Sequence, residues 1–172
     1  MTRQLAVAKE QNIETVVWAS CFLSDYTIIT GDSNGKVTFY DGKLGSLLHT
    51  YKIHDADVLT LATTKTERMV FASGVDPLFI AFEYVNVSDK SEEYDGKDYI
   101  WRRGWGHKMH SHDVRCIEIA DNLVLSGGVD RRIVVARQRR KEGETTKVCG
   151  RFFRSPQNYP ANFCLHVIEK VI

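Results

Sequence analysis

The sequence predicts an all-β chain assembled from repeated four-stranded units, and three observations carry that expectation. Short runs rich in Val, Ile, Thr, Phe and Tyr alternate with Gly/Asp/Asn turns along most of the chain. No stretch keeps a helical period for more than about two turns. Three hairpin segments also align with one another, at a spacing suited to one structural unit apiece.

Taken in order, the strand-like runs are residues 26–30, 36–40, 69–72, 78–82, 123–126 and 133–136. A few turn residues split each successive pair, which reads as three hairpins. Set in register, residues 30–41, 72–83 and 126–137 each open on a small residue and reach Asn34, Asp76 or Asp130 at the fifth position. Each then runs into an apolar strand. A second register lies upstream: His54 stands four residues before Val58, His110 four before Val114, and Asn12 four before Val16. Val16 and Val58 are 42 residues apart, and Val58 and Val114 are 56 apart. One polar insertion, at about residues 86–97, accounts for the excess and is expected to be an exposed loop. A period of about 40–45 residues with four strands per unit is the arithmetic of a β-propeller blade. The expected organisation is three blades in residues 1–138, then a basic linker with a partial strand or irregular tail in residues 139–172. A further strand is expected near residues 151–153.

Composition sets the outer bounds. The chain has 172 residues, 43% apolar and 26% charged, with a formal net charge of +1. That is ordinary globular composition at single-domain length; it excludes a disordered tail, a collagen-like repeat and a small disulfide scaffold. No apolar run approaches the roughly 18–20 residues of a membrane span. Residues 1–11 lack the apolar core of a secretory leader. The expectation is therefore neither secretion nor membrane insertion. Cys21, Cys116, Cys149 and Cys164 are widely spaced without a Cys-x-x-Cys pair, which favours reduced thiols. Charge is unevenly distributed. Residues 1–98 hold 9 Lys/Arg against 15 Asp/Glu, and residues 99–154 hold 13 against 6. An acidic half joined to a basic one points toward a polyanion or an acidic partner, or describes two solvated surfaces.

The hairpin segments resemble WD40 repeats, whose motif is close to small-Gly-x-x-Asp-Gly-x-apolar-x-apolar-Trp-Asp. Residues 30–41 match best, although Tyr40-Asp41, Phe82-Glu83 and Ala136-Arg137 stand where the name-giving pair would be. The resemblance implies that a loop histidine bonds the turn aspartate of its own blade: His54 with Asp76 and His110 with Asp130. Such a bond would tie two loops together and satisfy buried polar atoms. The first copy has Asn12 and Asn34 instead.

A more specific resemblance covers residues 16–137. The run 23–37, Ala56-Asp57-Val58, residues 110–115 and residues 125–130 are similar to the cirhin family, nucleolar tandem-propeller proteins. That likeness implies a non-enzymatic scaffold of the small-subunit processome, acting in pre-18S rRNA processing within the nucleolus. Its implied partners are other processome proteins and pre-rRNA, with no cofactor. The alternative is a WD40 adaptor in another system, such as ubiquitin-ligase targeting or trafficking, because fold alone does not separate these. Three blades do not close a ring, since propellers have about four to eight. About five apolar side chains per open face would forfeit on the order of 10 kcal/mol, comparable to a whole domain's stability. The expectation is a fragment or short isoform, or a chain whose remaining blades come from another subunit.

Four constellations were weighed as sites. Gly31-Asp32-Ser33-Asn34-Gly35 is similar to a serine nucleophile loop, yet the repeat already explains it as a turn, with Val75 and Val129 at the Ser33 position. His107, His110 and His112 have spacing that zinc could use, but no cysteine pair accompanies them and His110 has a place in the repeat. The run 101–108 offers Arg102, Arg103 and Lys108 for phosphates and Trp105 for stacking on unpaired bases. The competing reading has Trp101 packed beneath an outer strand with the arginines in water. Arg139, Arg140 and Lys141 form a second basic cluster, fit for phosphate contact, nuclear import or plain solvation.

Overall fold

The computed structural model describes residues 14–86, 99–139 and 147–154, with 137–139 and 147–154 traced by backbone alone. Among these residues it is all-β, with twelve strands and no helix. The first sheet runs β1 (Val17–Phe22), β2 (Thr27–Asp32), β3 (Lys36–Asp41) and β4 (Ser46–Lys52), each antiparallel to the next. The second repeats this order with β5 (Val58–Thr63), β6 (Met69–Gly74), β7 (Leu78–Asn86) and β8 (Tyr99–Lys108). The third has β9 (Val114–Ala120), β10 (Leu123–Gly128), β11 (Arg132–Arg139) and β12 (Lys147–Arg154). Strands β1, β5 and β9 pack side by side, which makes them the inner strands of three successive blades.

Strand alternation decides which residues enter the core. Cross-strand partners share a face of a sheet. In the first blade Ile29 pairs with Phe39, Gly31 with Val37, and Val37 with Tyr51, so these form one face. That face packs on the second blade, where Val58, Val70, Ile80, Phe82 and Trp101 complete one buried cluster. Phe39 stacks on Trp101 with ring centroids 5.1 Å apart and meets Phe82 edge-on at 5.3 Å. Tyr51 adds a hydroxyl that donates to the Trp101 carbonyl at 2.6 Å. The opposite face of the second blade offers Phe71, Phe79 and Ala81 to Val114, Ile117, Val124 and Val134 of the third. The middle blade thus has apolar side chains on both faces, which is why β7 reads Leu-Phe-Ile-Ala-Phe without alternation.

Close approach between blades depends on glycine. A Cβ on Gly31 would stand 2.5 Å from Val58 Cγ1, so β2 and β5 meet only because that atom is missing.

The strand expected near residues 151–153 lies within β12, which spans Lys147–Arg154 and pairs with β11 from Arg132↔Arg154 to Arg139↔Lys147. Its sequence, Lys-Val-Cys-Gly-Arg-Phe-Phe-Arg, lacks strict alternation, so periodicity hides it. Cys116, expected as a thiol, is disulfide-bonded. Bonding requires Cα atoms about 4.4–6.8 Å apart, a fact about the folded chain that sequence spacing does not reveal. Cys21 is free, and burial pushes its thiol up to about 11.

Candidate functional site

The loop–turn pairs at one end of the blades show how the repeat is fastened. In the third blade His110 lies in the loop before β9 and Asp130 in the turn between β10 and β11. His110 Nδ1 is 3.0 Å from Asp130 Oδ1, and its Nε2 is 2.9 Å from Ser126 Oγ. Asp130 also accepts the Ser111 and Arg132 N–H groups, each at 3.0 Å. Burial works to raise the Asp130 carboxyl, but these donors and His110 outweigh it and hold it below the usual carboxylate range. The Asp–His–Ser order has the connectivity of a hydrolase triad. Ser126 is only 1% exposed, however, so no substrate reaches its hydroxyl.

The second blade keeps the residues and loses the bond. His54 is buried, with its Nδ1 3.6 Å from Asp76 Oδ2, and neither ring nitrogen has a hydrogen-bond partner among the described residues. Burial holds the His54 imidazole below its ordinary value despite the opposing pull of Asp76. The turn sequence supplies a cause. In the first and third blades the residue after the turn Asn/Asp is Gly35 or Arg131, with φ of 72° and 61°. Their N–H groups close the turn onto Asp32 and Gly128 carbonyls, each at 3.2 Å. In the second blade that residue is Pro77. Proline has no N–H and fixes φ near −65°, so neither the left-handed residue nor the N–H closure of the other two turns is available here. Asp76 Oδ1 still accepts the Leu78 N–H at 3.2 Å, as Asp130 accepts that of Arg132, but the carboxylate stands farther from its histidine. In the first blade Asn34 Nδ2 donates to Thr15 Oγ1 at 3.0 Å; Asn12 lies outside the described residues.

The remaining sequence candidates separate. Ser33 Oγ accepts the Val16 N–H at 3.0 Å, a turn contact. His107 is exposed on β8, His110 is held by Asp130 and Ser126, and His112 is exposed with Ser111 Oγ 3.0 Å from its Nδ1. No three His, Cys, Asp or Glu side chains gather as metal ligands among the described residues. Arg102, Arg103 and Lys108 are exposed on β8, the outer strand of the second blade. Trp101 is buried against Phe39. Trp105 is half-buried and stacks on Phe79 at 6.3 Å. Arg139 ends β11, opposite Lys147 of β12; Arg140 and Lys141 lie outside the described residues.

Sequence reasoning missed a cleft at the opposite end of the blades. A cavity of about 230 Å³ opens between the outer parts of the first and second blades. Asp25, Asp41 and Lys43 line its first-blade side, and Tyr84, Tyr99 and Trp101 its second-blade side. These residues fall in four separate sequence segments, and only the packing of one blade on the next assembles them.

Three consecutive four-stranded sheets with inner strands side by side define the class: blades of a WD40-type β-propeller. No protein-family model matches the sequence. It is similar to U3 small nucleolar RNA-associated protein 4 of Schizosaccharomyces pombe, 35% identical over 124 residues, or 70% of this chain. It is also similar to the human homolog, 34% identical over 119 residues and 69% of this chain, and to the Saccharomyces cerevisiae protein, 34% over 137 residues and 76% of this chain. The chain spans only 16–17% of the length of these curated relatives.

Proposed function

We propose that the chain is part of a non-enzymatic WD40 scaffold of the small-subunit processome, supporting pre-18S rRNA processing in the nucleolus. The observation that carries this reading is similarity at 34–35% identity over about 70% of the chain to proteins named for association with U3 small nucleolar RNA. The fold supports it. Packed blades hold loops at fixed distances, so the chemistry of the chain is positioning rather than reaction. Its partners are other processome proteins and the remaining blades of a propeller. Val16, Val17, Trp18 and Phe22, on and beside the inner strand β1, are 41–62% exposed and suit burial against such a blade.

Pre-rRNA contact belongs to the same proposal. Arg102, Arg103 and Lys108 are exposed cations on one outer strand, while Arg132 stands opposite Arg154 and Arg139 opposite Lys147 in the third sheet. Exposed cations of this kind can neutralise the phosphates of a polyanion. Arg140 and Lys141 extend the cluster in sequence.

The test has two arms. Tagged protein should concentrate in the nucleolus; a cytoplasmic or vesicular pattern would favour the adaptor reading instead. Charge reversal at Arg102, Arg103, Arg139 and Arg140 should weaken RNA binding and flatten its dependence on salt. Unchanged affinity and slope would remove RNA contact from the proposal.

A further inference from the structure

The cavity between the first and second blades has a composition that ordinary packing does not require. Its first-blade wall carries two carboxylates, each already oriented by the backbone. Asp25 Oδ1 accepts the Thr27 N–H at 2.8 Å. Asp41 Oδ1 accepts the Lys43 and Leu44 N–H groups at 2.8 and 3.1 Å. The second oxygen of each accepts no hydrogen bond among the described residues, so both are fixed acceptors with capacity to spare. The facing wall is a row of rings. Tyr99 stacks on Tyr84 at 5.3 Å, and Tyr84 tilts against Trp101 at 5.1 Å.

Charge and size select the occupant. Lys43 is the lysine on the wall, and its Nζ is drawn 4.7 Å above the Tyr26 ring. Burial, and then the nearby Asp25 charge, raise the Tyr84 phenol. Cations already settle on rings at this end of the blades: besides Lys43, Arg68 lies 5.7 Å from the centre of Tyr99. At about 230 Å³ the cavity is smaller than the roughly 300–1,000 Å³ of small-molecule pockets and suits one long side chain.

We propose that this cleft receives an arginine side chain from a partner protein, its guanidinium on Asp25 and Asp41 and its methylene stem along Tyr84 and Tyr99. A planar fork of donors matches a pair of oriented carboxylates better than the point charge of lysine. The site is independent of the exposed cations on β8 and of RNA, and so it offers the scaffold a separate contact with protein.

The test uses the full chain, isotopically labelled, titrated with a blocked Gly-Arg-Gly peptide and followed by amide and indole NMR shifts. A Gly-citrulline-Gly peptide, nearly the same shape without the charge, is the control. The expected result is saturable shifts at Tyr84, Tyr99 and the Trp101 indole, with citrulline binding at least about tenfold weaker. Asp25→Asn, which keeps the acceptor that holds Thr27, should weaken the arginine peptide by about the same factor. Equal binding of both peptides, shifts confined to other surfaces, or no saturable shift would each overturn the proposal. The peptide comparison reads out on the unaltered protein, so it stands even if a variant folds poorly. Loss of nucleolar localisation would refute the function proposed above and leave this site standing.

Discussion

Replacing His110 with Ala should destabilise the protein far more than replacing His54 with Ala, although both imidazoles are buried at matching places in their repeats. Each replacement removes the same ring and leaves a similar cavity, so the packing losses largely cancel in the comparison. What remains is hydrogen bonding. His110 bonds the Asp130 carboxylate at 3.0 Å and Ser126 at 2.9 Å, whereas His54 bonds neither of its neighbours. A bond to a charged group contributes about 1.5–3 kcal/mol and a neutral one about 0.5–1.5. The excess loss for His110→Ala is therefore about 2–4 kcal/mol. In a chain of this size that corresponds to on the order of 5–15 °C in Tm. Urea unfolding of both variants beside the parent, with unchanged m values, gives the comparison directly. Equal losses, or a larger loss for His54→Ala, would refute the assignment of the third-blade network as the tighter fastening.

Pro77→Gly frees the second-blade turn to take the left-handed form seen at Gly35 and Arg131; the His54 ring should then approach Asp76 and its pKa should rise, as read by NMR titration. Acid should weaken the parent below about pH 6.5, because His54 takes up a proton more readily unfolded than folded. His54→Leu should flatten the stability–pH curve in that window while leaving the lower one, where Asp130 is protonated below its ordinary value of 3.8, in place. Phe39→Ala should cost about 3–5 kcal/mol, since that ring touches Tyr51, Phe82 and Trp101 at the first inter-blade contact; a loss below about 1 kcal/mol in denaturant titration would contradict the packing described. Cys21 should alkylate slowly at neutral pH, because a thiol raised to about 11 is almost wholly protonated there.

The middle strands were legible in the sequence because both physical cues coincide in them. β2 with β3, β6 with β7, and β10 with β11 combine β-branched or aromatic runs with Gly/Asp/Asn turns. The outer strands were not. β8 carries Gly104 and Gly106 among three cations and a histidine and shifts register between Ile80 and Phe82, so it has no clean alternation to read. Outer strand β4 is polar along much of its length, and β12, irregular in sequence, is legible only near residues 151–153. Pairing of loop histidine with turn aspartate was expected alike for two blades from the WD40 resemblance. The turn of the second blade differs from its siblings at Pro77, a residue visible in the sequence but readable only once the left-handed φ of Gly35 and Arg131 is known. The two tryptophans of β8 diverge for a similar reason. Trp101 and Trp105 fall to different sides across the strand irregularity: Trp101 stacks on Phe39 of the first blade, whereas Trp105 lies on Phe79 of its own blade beside the cluster shared with the third. The cleft lined by Asp25, Asp41 and Tyr84 had no sequence signature, because inter-blade packing alone creates it.

Quantitative recovery of U3 small nucleolar RNA with the tagged protein, from cells expressing it at native level, bears most directly on what this stack of blades is for. A scaffold of the processome should enrich that RNA well above a control propeller, and the enrichment should survive mild salt. Recovery at control level, with the protein folded and abundant, would contradict the account.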